Sequence, residues 1–309
     1  MEAFAKATGK PFWSVMIPTY QPKEHHLRQS LESVLQQDPG PEQMQIHVVD
    51  DFSPDVDVAD LVRRLGGSRV EFSRTPKNLG IAGCWNACIE LARGEWVHLL
   101  HQDDYVLPDF YQKLADAAAH HPDVALLATR CSFVTEQGKI WKTSERLPEL
   151  ENGGRVIEKF FYGTPIQCPG ITVQKSFYAK SGGFHPGLNF VLDCEMWARV
   201  IGTAGGLVIP DVLACYRSSD GATTSRLERT AENLRDVERL NAMFAARYPE
   251  FDRQRALRRV CYRAKDQADF FIKKGDAEAA RANLEFWHTH STPSIRVRRF
   301  LGNCLRSLR

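Results

Sequence analysis

EWVHLLHQDD (95–104) is a short apolar run that ends in two adjacent aspartates. QIHVVDD (45–51) has the same form, and WSVMIP (13–18) is an apolar run closed by Pro18. Short apolar runs bounded by turn residues read as buried strands, as does RVEFSR (69–74). Between them the spacing turns helical. HLRQSLESVLQQ (26–37) carries Leu27, Leu31, Val34 and Leu35 on one face, DVADLVRRLG (57–66) stops at Gly66 and Gly67, and GCWNACIELA (83–92) follows. FYQKLADAAAHH (110–121) and DVALLATRCSFV (123–134) continue the alternation. Strands spaced by helices of this length predict an α/β domain with a mostly parallel sheet flanked by helices. Ligands of such sheets bind beyond the carboxyl ends of the strands. Those ends here carry Pro18–Thr19–Tyr20, Asp50–Asp51 and Asp103–Asp104, which are predicted to meet on one rim.

Composition narrows the classes. A chain of 309 residues, 43% apolar and 25% charged, has the makeup of an ordinary globular protein. No window approaches 18 consecutive apolar residues, and MEAFAKATGKPF (1–12) has no apolar signal core, so a cytoplasmic location is expected. Eight scattered cysteines form no CxxC and no zinc-ligand spacing, which predicts buried free thiols. From residue 226 onward there are 19 Lys and Arg against 11 Asp and Glu, whereas the first 225 residues carry 21 against 27. An acidic module (1–225) and a basic helical one (226–309) are therefore expected.

Each motif has two readings. The Asp103–Asp104 pair is either a solvated turn or a cleft in which adjacent carboxylates share a divalent cation with an anionic ligand. VVDDFS (48–53) is either an Asx-capped turn or a carboxylate placed for a base or ribose hydroxyl. IPTY (17–20) is a strand end that also offers an aromatic ring. TPKNLGIAGCWNACI (75–89) enters a glycine-flanked helix N-terminus, a geometry that favours phosphate, yet it is neither GxGxxG nor a Walker loop. In LDCEMWAR (192–199), Asp193 and Trp197 lie one helical turn apart, which suits a carboxylate beside an aromatic sugar platform or, equally, an N-cap beside a core Trp.

In their order and spacing, IPTYQ, VDDFS, NLGIAGCWN and HQDD resemble the nucleotide-sugar half of family 2 glycosyltransferases with the GT-A fold. SGGF (181–184), LDCEMWARV (192–200) and YRSSDGATTS (216–225) extend the likeness over roughly residues 13–225. The resemblance implies that Pro18, Thr19 and Tyr20 line the nucleoside pocket and that Asp51, with Asp50 beside it, binds the base. It implies that Asn78, Gly80 and Asn86 shape the pocket wall. Asp103 would face the ribose or donor sugar, and Asp104 would hold Mg²⁺ or Mn²⁺ on the diphosphate. Asp193 would be the general base of an inverting transfer, with Glu195 and Trp197 on the acceptor side. The implied donor is a nucleotide-diphosphate sugar, UDP- or dTDP-linked in preference. The implied acceptor is a saccharide or a lipid-linked saccharide of surface-polysaccharide synthesis. Two departures stand out: no histidine follows Tyr216–Arg217, and the QxxRW signature of processive members is missing, which points to a non-processive enzyme. A GT-A-like binding or scaffold protein with little turnover is the competing reading.

The last third reads as helices over Thr230–Tyr248, Asp252–Lys274 and Asp276–His288, the last two forming a hairpin capped by Gly275 and Asp276. SIRVRRFLGNCLRSLR (294–309) has five arginines and no acid, with apolar residues on one helical face. It is either an interfacial helix on anionic lipid at the inner face of the membrane or a terminal helix packed on its own domain. A nucleic-acid partner is not expected, because the arginines are not interleaved with aromatics.

Overall fold

The computed structural model describes residues 9–218 and 223–299. The first part of the chain runs β1 (Trp13–Thr19), α1 (Glu24–Leu35), β2 (Met44–Asp50), α2 (Val58–Gly66), β3 (Glu71–Arg74), α3 (Gly80–Leu91) and β4 (Trp96–Leu99). It continues with β5 (Tyr105–Val106), α4 (Phe110–His120), β6 (Leu126–Val134), β7 (Ile140–Thr143), β8 (Ile171–Gln174), α5 (Lys175–Ser181), α6 (Leu192–Ala204) and β9 (Gly206–Arg217). Four helices follow: α7 (Thr223–Arg229), α8 (Glu232–Arg247), α9 (Arg253–Lys274) and α10 (Ala277–His290).

The strands form one nine-stranded sheet in the order β3-β2-β1-β4-β8-β6-β9-β5, with β7 paired to β6. All seven residues of β1 and of β2 are buried, as strands covered on both faces must be. Trp13, Val15 and Ile17 of β1 pack with Ile46 and Val48 of β2 and with Leu27, Leu31 and Val34, the apolar stripe of α1. β3, β2, β1 and β4 are mutually parallel, so their carboxyl ends share one edge. β8 then inserts antiparallel between β4 and β6, while β6 and β9 make a long parallel ladder. The strand expected to run into Asp103–Asp104 stops earlier. β4 ends at Leu99, Leu100 N–H reaches Met16 O at 3.0 Å, and the acids stand on the turn beyond.

The chain divides into two compact units. One comprises Met1–Phe160, Thr164–Pro186 and Leu192–Ser218; the other comprises Phe161–Gly163, Gly187–Val191 and Ser219–Arg309. The second has its own core of Ala231, Leu234, Val260, Cys261, Ala264, Phe286, Trp287 and Ile295. Its α9–α10 hairpin turns on Gly275 at φ +77°, and Asp276 accepts the Ala279 N–H, the caps expected from the sequence. Cys84, Cys88, Cys131, Cys168, Cys194, Cys215 and Cys261 are buried free thiols. Among the described residues no helix is long and apolar enough to cross a membrane. Residues 219–222 of the YRSSDGATTS motif and 300–309 of the basic tail lie outside the described residues.

Candidate active site

Hydrogen bonds join the loops at the carboxyl ends of β1, β2 and β4. Asp51 N–H donates to Thr19 O at 2.7 Å, Tyr20 N–H to Gln102 Oε1 at 2.7 Å, and Gln102 Nε2 to Tyr20 O at 3.1 Å. Pro18 and Thr19 are buried, so Tyr20, 47% exposed, is the member of its motif that presents a ring to solvent. Phe52, 43% exposed, presents a second ring on the neighbouring loop, with the Arg74 guanidinium 4.7 Å from its centroid. Gln21 and Phe52 both take positive φ (+47° and +63°), a conformation that costs a non-glycine residue free energy and clusters at binding sites.

Asp50 and Asp51, expected at the base, also have structural contacts. Asp51 is 4% exposed, and its carboxylate accepts from the N–H groups of Leu79 (2.7 Å) and Gly80 (2.9 Å) and from the Thr75 hydroxyl (3.2 Å). It thus caps α3 from a different strand, satisfying donors that the helix itself leaves open. Those two N–H groups are thereby engaged. Asn78 donates to Asp51 O at 3.1 Å, and Gly80 sits at φ +72° to bring its N–H to the carboxylate. Asp50 is fully buried, accepts from Ser53 N–H and Oγ, and lies 3.5 Å from Arg74 Nε. Both acids build the rim through these contacts.

The second acid pair is different. Donor atoms of His101, Asp103 and Asp104 all lie within 4.8 Å of one another. Asp104 is 1% exposed. Its Oδ1 accepts the Arg217 N–H at 2.8 Å, whereas Oδ2 has no hydrogen-bond partner and lies 3.3 Å from His101 Nδ1. His101 Nε2 is also buried without a partner. Burial, then the Asp104 charge, pushes the Asp103 carboxyl up to about 6. Burial alone would disfavour a charged His101, but the Cys168 sulfur and the Asp104 carboxylate outweigh it and raise the imidazole well above its usual range. Two carboxylates, an imidazole and orphaned buried donor atoms form a set that fits Mg²⁺ or, with its nitrogen, Mn²⁺. His101 and Arg217 stood inside HQDD and YRSS, but their part in the site was not legible there.

Arg217 holds this turn. It is 4% exposed, and its Nε donates to Asp103 O at 2.8 Å, its Nη1 to Glu136 O at 2.8 Å and Thr135 O at 3.1 Å, and its Nη2 to Gln29 Oε1 at 2.5 Å. One guanidinium therefore ties β9 to the acid turn, α1 and the β6–β7 hairpin.

Asp193 opens α6, half-buried, and accepts the N–H of Cys194 at 2.7 Å. Burial pushes its carboxyl up to about 6, against the opposing pull of the Cys194 N–H and of the His101 charge. Glu195 and Trp197, expected on the acceptor side, are held by neighbouring side chains. Glu195 is clamped by Arg199 at 2.9 and 3.0 Å, and that arginine also binds the carbonyls of Ser181, Gly182 and Gly183. Trp197 is 1% exposed and meets the Phe184 ring edge-on at 5.7 Å, so it belongs to the core. Asn86, expected on the wall of the nucleoside pocket, holds the 183–184 turn. Its side chain donates to Phe184 O at 3.0 Å and accepts Phe184 N–H at 2.7 Å, and a Cβ on Gly183 would come within 2.1 Å of its Oδ1. Cavities of about 300 and 400 Å³ flank this loop, and neither is lined by Asp103, Asp104 or Asp193. The acids therefore stand outside both.

Known proteins match this arrangement. Residues 14–181 fit the model of "Glycosyl transferase family 2". The amylovoran biosynthesis glycosyltransferase AmsE of Erwinia amylovora is 26% identical over 152 residues, 48% of this chain and 55% of that protein. S. aureus TarS, solved with UDP-GlcNAc, superposes with a TM-score of 0.63 at 15% identity, over 92% of this chain and 82% of that one. The mannosyltransferase of Pyrobaculum calidifontis, solved with GDP-Man and Mn²⁺, gives 0.57 at 18% identity, over 97% and 81%. The family match spans more than half of the sequence, and the solved structures share its fold. The chain belongs to glycosyl transferase family 2 and is a glycosyltransferase of GT-A fold.

Proposed function

We propose that this enzyme moves one sugar, with inversion, from a UDP- or dTDP-sugar to a hydroxyl of a saccharide or lipid-linked saccharide in surface-polysaccharide synthesis at the inner face of the membrane. The observation that carries the reading is the grouping of His101, Asp103 and Asp104, together with a half-buried Asp193 at the start of α6 whose carboxyl is raised to about 6. Asp104, with Asp103 and His101, would hold Mg²⁺ or Mn²⁺, which supplies positive charge against the diphosphate. Tyr20 and Phe52 supply exposed rings on which the base stacks. Asp193 accepts the acceptor's hydroxyl proton as that oxygen bonds to the anomeric carbon. The bond from that carbon to the diphosphate oxygen breaks, and its electron pair leaves with the nucleotide. A pKa near 6 leaves Asp193 ionised at pH 7 yet basic enough to take the proton.

The test is a thermal-shift screen of nucleotide sugars with and without Mn²⁺. A ligand at a hundredfold excess over its Kd stabilises the native state by about 2.7 kcal/mol. One donor should give a metal-dependent shift that Asp104→Ala abolishes. A panel of donors with no shift in either condition overturns the reading.

A further inference from the structure

The first three turns of α9 carry Arg253, Arg255, Arg258, Arg259 and Arg263, and no acid intervenes between the cap Asp252 and Asp266. Arg255, Arg259 and Arg263 are exposed at four-residue intervals, one stripe along the helix with a rise of about 6 Å per step. This placement is unfavourable for the free protein. Cations near a helix N-terminus oppose its dipole, and like charges four residues apart repel. Elsewhere in the same unit basic side chains find acids: Arg229 with Asp276, Arg235 with Glu232, Arg239 with Asp236, Lys265 with Asp269 and Arg299 with Asp266. On the stripe, the ion pair among the described residues is Arg263 with Glu228, at 3.8 Å.

Aromatic rings seat these arginines. Arg255 and Arg259 lie 4.5 and 5.6 Å from the Tyr162 centroid, and Arg263 lies 5.0 Å from that of Phe190. Tyr162 is itself stacked on Phe251 at 6.0 Å, and its carbonyl accepts from Arg259. A guanidinium held flat on a ring keeps its edge donors for a carboxylate or phosphate and loses little freedom on binding. We propose that this stripe is a docking surface for a linear polyanionic glycan, whose successive anionic groups meet successive arginines. Chemistry favours this partner over two others. An anionic membrane would need an apolar face beside the arginines, but Ala256, Val260, Cys261 and Ala264 are buried and the exposed apolar residues Phe270 and Ile272 lie beyond the stripe. A single-stranded nucleic acid would stack its bases on open rings, and Tyr162 is covered by two arginines.

The inference rests on the second unit alone, so its failure leaves the sugar-transfer reading of the first unit intact, and the reverse holds. The experiment measures fluorescence anisotropy of the full chain with labelled oligogalacturonate and with its neutral methyl ester, alongside sedimentation with phosphatidylcholine–phosphatidylglycerol vesicles. The acidic chain should bind at least about tenfold more tightly than the ester, with affinity falling as salt rises. The triple variant Arg255→Gln/Arg259→Gln/Arg263→Gln should lose that binding, whereas Arg235→Gln, outside the stripe, should keep it. Should the triple variant melt early, the ester comparison and salt slope on the native chain still decide the matter. Equal binding of acid and ester, undiminished binding by a folded triple variant, or arginine-dependent vesicle binding without uronate binding each overturns the proposal.

Discussion

The backbone N–H of Arg217 meets Oδ1 of Asp104 at 2.8 Å, joining residues 113 positions apart in the sequence. The Arg217 guanidinium simultaneously binds the carbonyl of Asp103. The end of β9 therefore sets the aim of both carboxylates, and Arg217 is a positioning residue rather than a group that reaches substrate. Arg217→Ala strips a buried hub of its donors and should destabilise the fold by about 3–5 kcal/mol. Arg217→Lys should keep the fold better but weaken Mn²⁺ binding by about tenfold or more, as lost outer-shell support does. Denaturant melts and a Mn²⁺ titration check the two variants.

Asp193 should set the acid limb of the pH–rate profile. Its carboxyl titrates near 6, so kcat/KM should fall about tenfold per pH unit below that value. Asp193→Asn should lower kcat by about 10²–10⁴ and leave donor-induced thermal shifts unchanged. At saturating Mn²⁺, which removes the contribution of Asp103 and His101, an acid limb that survives in Asp193→Asn would assign the base elsewhere.

Asp103 stores instability in the metal-free protein. Its folded-state carboxyl lies near 6, above the ordinary value of 3.8. The folded state therefore holds the proton more tightly than the unfolded one, and stability falls as pH rises through this interval. At pH 8 the cost is fully present, so Asp103→Asn should raise apo stability by about 1–2 kcal/mol, discounted for partial solvent screening. At pH 4 the gain should vanish. Added Mn²⁺ should stabilise the native protein and do little for the variant.

Metal affinity should rise with pH. Asp103 near 6 and a raised His101 must both lose protons to act as ligands. Calorimetry between pH 6 and 8 should show tighter Mn²⁺ binding and proton release, and His101→Ala should flatten the dependence.

Asp51 separates structural from ligand roles. Asp51→Ala leaves the Leu79 and Gly80 N–H groups unpaired and should cost about 1–3 kcal/mol without any ligand present. An Asp51→Ala protein that melts like the native chain, yet loses donor binding, would restore direct contact with the base.

The α/β alternation, the rim of strand ends and the acid pair were legible in the sequence because each rests on local patterning. Apolar runs of strand length, helical spacing and turn residues act over a few neighbours, and β1, β2, α1 and α9 follow them closely. The Gly275–Asp276 hairpin was equally local. What the local pattern could not carry was partnership. VVDDFS and HQDD look alike in sequence, yet Asp51 is spent on α3, while Asp104 Oδ2 is left without a partner. That difference comes from Leu79 and Gly80 in one case and Arg217 in the other, all distant along the chain. Trp197 likewise sits one turn from Asp193, yet it is buried with its ring against Phe184. Hydrophobic periodicity selects a face, but the element packed on that face decides whether a side chain meets solvent, metal or core. Sequence alone thus determined which residues reach the rim, and long-range hydrogen bonding determined which of them remain free to do chemistry.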